Sequence, residues 1–112
     1  MGKGDHLGEL EHLVLLAILS LGSEEAYGMR VRQALAERAG RSLSVPTVYS
    51  ALDRLEAKGL VTARTGEATP ERGGRAKKLF GVTPAGLGAL REARAVLDRM
   101  WAAAGVGRRT AP

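Results

Sequence analysis

Arg72, Arg75, Lys77 and Lys78 crowd into the stretch RGGRAKKLF, beside the adjacent glycines Gly73 and Gly74. Like charges so close together repel, so their concentration calls for a negative partner rather than for stability. Paired glycines let a backbone turn sharply and approach that partner closely. A second group lies in SVPTVYS, where Ser44, Thr47, Tyr49 and Ser50 offer uncharged hydroxyls around Pro46. Neither set is catalytic. Ser, His and acidic residues occur, but none forms a nucleophile motif, and no glycine-rich strand-to-helix loop is there to hold a nucleotide. His6 and His12 fall on different helix faces without a carboxylate cluster, so no metal is expected. With no Cys, disulfides and thiolate sites are excluded. The expectation is a binding protein without cofactor, not an enzyme.

Composition bounds the partner. The 112 residues suffice for one compact domain with one core, and 45% of them are hydrophobic. A formal charge of +5 favours polyanions. The charge is uneven: residues 1–25 sum to −4, residues 44–58 to zero, and residues 26–43, 59–83 and 84–112 to +3 each. The longest apolar run, LVLLAIL, is too short to span a bilayer, and acids rather than a basic leader precede it. These features suggest a cytoplasmic protein with no membrane partner. MGKGD and GVGRRTAP, rich in Gly, Pro and charge, read as loose tails over 1–6 and 105–112.

The elements that must position these groups are marked by periodicity and punctuation. Leu10, Leu13, Val14, Ala17, Ile18 and Leu21 recur at steps of three and four, predicting a helix that Gly22 ends. A second helix is predicted from Tyr27 to Ala39, with Met29, Val31, Ala34 and Leu35 as buried candidates and Gly40 as its stop. Ser44 caps a third, with Pro46 in its first turn, Val48, Ala51, Leu52 and Leu55 facing inward, and Gly59 at its end. LVTAR and KLFGVT then predict a hairpin with a long polar loop. Thr83-Pro84 repeats the cap-then-proline signal and opens a fourth helix reaching Ala104.

Three helices, a hairpin and a closing helix is the order of a winged helix-turn-helix domain, mainly α with a small β-hairpin. Its expected bounds are 7–83, with the wing over 60–83, followed by the helix 84–104. Over residues 7–104 the blocks LGELEHLVLLAIL, AYGMRVRQAL, VPTVYSALDRLEAKGLV and RGGRAKKLFGVTPAG resemble the PadR family of bacterial transcriptional regulators. The resemblance implies a homodimeric repressor of double-stranded DNA whose short form carries a single C-terminal dimerisation helix. The third helix would enter the major groove, with Ser44, Pro46, Thr47, Tyr49 and Ser50 at base edges and phosphates. Tyr49 matches the family's helix tyrosine, which implies a phosphate contact, although a half-buried packing role is open to it. Arg72, Gly73, Gly74, Arg75 and Lys77 would meet phosphates at the wing. Lys78 shares a strand face with Phe80 and Val82 and so is set apart. Arg54 would contact a phosphate or pair with Asp53 or Glu56. Tyr27, at the second helix start, would face phosphate or enter the core.

Gly86, Leu90, Ala93, Leu97, Met100 and Ala104 follow alternating steps of four and three, with Trp101 beside them. That is the spacing of a helix–helix seam. One small domain cannot cover so long a stripe, so a second copy is expected there, with Leu10 and Leu13 of the first helix joining the interface. Two-fold symmetry then implies a palindromic operator. Multidrug-sensing members of the family stack flat aromatic ligands on a tryptophan of this helix. Here Leu97 occupies that position and Trp101 follows one turn later, so a small aromatic effector at Leu97 and Trp101 is a further expectation beside a purely packing Trp. A winged-helix module binding another protein is the alternative. Single-stranded nucleic acid is disfavoured, because aromatic residues make up only 4% and leave little to stack on.

Overall fold

The computed structural model describes residues 7–66 and 77–106. The end segments expected as tails, apart from Gly105 and Val106, lie outside them. So does the loop with Arg72, Gly73, Gly74 and Arg75.

Four helices and one hairpin follow in the expected order: α1 (Glu9–Leu21), α2 (Gly28–Ala39), α3 (Val45–Ala57), β1 (Val61–Thr65), β2 (Lys78–Val82) and α4 (Pro84–Ala104). The chain adopts the winged helix fold. The punctuation acts as anticipated. Ser44 Oγ accepts the Thr47 N–H, and Thr83 Oγ1 accepts the Gly86 N–H, each one residue before a helix with proline in its first turn. Gly40 and Gly59 take φ of 66° and 77°, a left-handed backbone that residues with a Cβ rarely adopt, and each lies just past a helix.

α1, α2 and α3 pack around Val14, Leu15, Val31, Val48, Leu52 and Leu55, all fully buried. The hairpin closes one side of this core through Val61 and Phe80. Its strands are antiparallel, with Val61 opposite Val82 and Thr65 opposite Lys78. The residues before α2 add a short third edge: Phe80 N–H donates to Ala26 O at 2.8 Å, and Tyr27 bridges to Leu79. The wing is therefore bonded directly to the start of α2.

Two core expectations change. Met29 is exposed, while Leu15, absent from the α1 stripe, is fully buried. Leu15 is covered because α1 lies centrally, against α2, α3, β2 and α4, so its buried arc is wider than one stripe.

Candidate nucleic-acid interface

The helix-turn-helix is formed by α2, a short turn and α3. α3 buries Val48, Ala51, Leu52 and Leu55, which leaves Pro46, Thr47, Tyr49 and Ser50 exposed on the opposite face of its first turns. Ser44 is exposed too, but its hydroxyl is engaged as the cap and lies 2.8 Å from Thr47 Oγ1. Two arginines that the sequence did not single out fasten the turn before it. Arg32 Nε donates to Leu43 O at 2.6 Å, and Arg41 pairs with Glu9 at 2.6 Å.

Tyr49 is exposed at the surface. Its ring lies against Gly28, the first residue of α2, so tightly that a Cβ there would overlap the ring and the hydroxyl. The Tyr27-Gly28 pair thus has a physical meaning: only glycine lets the α3 tyrosine cross the start of α2. Beside it, Lys77 Nζ sits 4.4 Å from the centre of the Tyr27 ring. Lys77, Tyr27, Gly28 and Tyr49 form one continuous patch linking wing base, α2 start and α3.

Other cations are held by the chain's own acids. Lys78 lies 5.6 Å from the Phe80 ring centre and 3.8 Å from Glu56, on the face that strand alternation implied. Arg64 donates to Ser23 O at 2.9 Å and faces Glu24 at 3.6 Å. Arg54 pairs neither with Asp53 nor with Glu56: its partner is Glu11 of α1, at 3.3 Å. Glu11 is the one polar residue buried among the described residues, only 6% exposed. Lys58 Nζ reaches it at 2.9 and 3.1 Å, and the Gly8 N–H at 3.3 Å. Burial alone would raise the Glu11 carboxyl; the hydrogen bonds from Lys58, Gly8 and Arg54 outweigh it and hold the group below its ordinary value. From sequence, an acid in the first turn reads as a surface residue facing the helix dipole, so its burial was not legible.

On the far side, α4 corrects the expected seam. Gly86 and Leu90 do not await a partner. Leu90 is 8% exposed within the chain's own core, and a Cβ at Gly86 would overlap Leu60 O. Leu10 and Leu13 are half-buried and pack on the same core. Ala93 is half-buried and Ala104 exposed, and Leu97, Met100 and Trp101 are 51%, 63% and 55% exposed. Between α1 and α4 runs a groove of about 640 Å³ whose apolar wall includes Leu7, Ala89, Val96 and Leu97. Leu97 lines it and Trp101 does not. Val96, Leu16 and Leu19, outside the seam and stripe spacing, are exposed as well.

The model of the Transcriptional regulator PadR-like family matches residues 15–92. The chain belongs to this family. Among solved structures, a PadR family transcriptional regulator from Eggerthella lenta is 30% identical, with a TM-score of 0.64 over 87% of this chain and 83% of that one. A PadR-like transcription factor from Bacteroides fragilis is 25% identical, with a TM-score of 0.67 over 86% of each. A transcriptional regulator from Clostridium thermocellum, 18% identical, shares the fold at a TM-score of 0.69 over 89% and 90%. No protein of curated function matches the chain. As a PadR-like protein it is a DNA-binding transcriptional regulator and not an enzyme. Among the described residues no helix is long and apolar enough to cross a membrane.

Proposed function

We propose that the chain works as a homodimer that represses transcription by occupying a palindromic operator. The observation that carries the dimer is the outer half of α4, where Val96, Leu97, Met100 and Trp101 stay exposed on a helix whose inner half is already packed. A second copy covering that surface, together with Leu16 and Leu19 of α1, would present two α3 helices related by a two-fold axis. Half-sites then lie about 34–36 Å apart, one turn of duplex, or a multiple of it.

On each half-site Pro46, Thr47, Tyr49 and Ser50 face base edges and phosphates, while Lys77 and the loop cations Arg72 and Arg75 neutralise phosphates. Residues 44–58, which contain α3, carry no net charge, so bulk attraction falls to the wing and α2. Arg54 is assigned to Glu11 rather than to DNA. Ser44 serves the cap first. Repression, as opposed to activation, follows from the resemblance.

Selection of bound duplexes from a random pool at two salt concentrations tests this directly. A palindromic motif with affinity falling steeply in salt supports it. A monomer in sedimentation, or a folded chain that ignores duplex in dilute buffer, overturns it and favours the protein-binding alternative. Replacing Arg75 and Lys77 by Ala should weaken all duplexes alike and flatten the salt slope.

The exposed side chains of Leu97 and Trp101, one turn apart on α4, favour one additional role, release by a small hydrophobic or aromatic effector held at the dimer centre. Titrating flat aromatic cations while following Trp101 fluorescence and operator affinity tests the idea. Unchanged emission and unchanged affinity would remove it.

A further inference from the structure

The first turn of α1 reaches both the end of α3 and the turn that precedes it. Glu11 takes Lys58 and Arg54 from the end of α3. Two residues earlier, Glu9 takes Arg41 from the turn that leads into α3. Arg41 is itself anchored, its N–H donating to Leu35 O at 3.0 Å. The C-terminal end of α3 and the turn between α2 and α3 are therefore each tied to one carboxylate of the same turn. That turn also forms a wall of the groove, where Leu7, Glu9 and His12 face Ala93, Val96 and Leu97 of α4.

We infer that Glu9 and Glu11 are positioning residues that couple the occupant of the α1–α4 groove to the seating of α3, the occupant being α4 of a second copy. The inference rests on the homodimer proposed above. A buried carboxylate with several donors cannot be left unpaired cheaply, so a shift of the α1 turn carries Lys58 and Arg54 with it. The Glu9–Arg41 pair lies at the surface and is screened by salt, so Glu11 is the stronger link and Glu9 the salt-sensitive one. Because the carboxylates hold the end of α3 and the turn before it, they act on its seating, not on any contact with DNA.

Amide exchange across residues 45–57 reads that seating, with sedimentation run on the same samples. Val96→Arg, at an exposed position, should dissociate the dimer and speed exchange in α3 about threefold to thirtyfold, the span of couplings between linked sites. Glu11→Gln should leave a dimer weakened by no more than that same factor, since the coupling is reciprocal, speed α3 exchange to a similar degree, and make Val96→Arg add nothing further. If Glu11→Gln does not fold, Lys58→Gln serves in its place, since Arg54 and the Gly8 N–H still hold Glu11. A merely structural cluster gives additive effects in the double variant, and that result overturns the inference. So does a Val96→Arg protein that is monomeric with α3 exchange unchanged, although the dimer proposal then stands. A wild-type chain that sediments as a monomer overturns both.

Discussion

Within α4, Gly86 and Leu90 are packed against the α3–β1 turn and the core, whereas Leu97, Met100 and Trp101, two to four turns on, face outward. Both halves carry the same amphipathic spacing. The inner half is fastened as well as packed. Thr83 caps it, donates its hydroxyl to Gly59 O at 2.8 Å and its N–H to Leu60 O at 3.0 Å. Beyond Leu90 no residue of α4 is buried, yet the only tryptophan of the chain is there. An apolar helix face thus fixes that something must cover it, and not whether the cover is the chain itself or another molecule.

Substitutions in the two halves should separate fold from assembly. Leu90→Ala should destabilise the folded chain by about 2–5 kcal/mol, toward the lower end because the site borders solvent. Denaturant unfolding checks this; a neutral result would mean that the inner half is not part of the core. Trp101→Ala should do the opposite. Chain stability should change by no more than about 0.5 kcal/mol, while the dimer weakens by about 2 kcal/mol or more, as for a buried aromatic anchor. Sedimentation over a dilution series reads the second effect, and equal loss in both assays would erase the distinction.

Gly86→Ala probes the closest approach in the inner half. Its Cβ would meet backbone at Leu60, which cannot rotate away, so about 1–3 kcal/mol of stability should be lost with the dimer constant unchanged. Acid separates the regions in another way. Glu11 lies in the folded core with its carboxyl held below the ordinary value of 4.5. A depressed carboxyl contributes stability that is complete above that value and is lost as pH falls through the lower folded one. Unfolding free energy should therefore drop below pH 4.5, and Glu11→Gln should flatten that limb. The smallest effect belongs to the outer half: removing the exposed Arg94–Asp98 pair should shift stability by under about 0.5 kcal/mol.

Much of the fold was legible because its punctuation is local. Ser44 and Thr83 before proline, and Gly40 and Gly59 after helices, act through a turn of backbone each, and the element bounds fell within a residue or two of expectation. Lys78 was legible too, since strand alternation is a matter of period two. Arg54 was not. Its neighbours in sequence offered Asp53 and Glu56, and the acid that holds it stands 43 residues away. Met29 and Leu15 failed for a related reason: helical period gives a stripe, and the width of the stripe depends on how many neighbours pack around it. The family relation was carried by whole blocks of sequence and did not depend on any of these contacts.

The sequence by itself determined the order and ends of the elements, the placement of positive charge on α2, the wing and the last segment, and the exposed hydroxyl row of α3. Those follow from caps, periods and counts that act within a few residues. Only the tertiary structure decided that Leu90 turns inward while Trp101 turns out, that Tyr49 lies across Gly28, and that Glu11 is buried between Arg54 and Lys58. Each depends on which surfaces meet when distant segments pack, and no local pattern encodes the distance between helices.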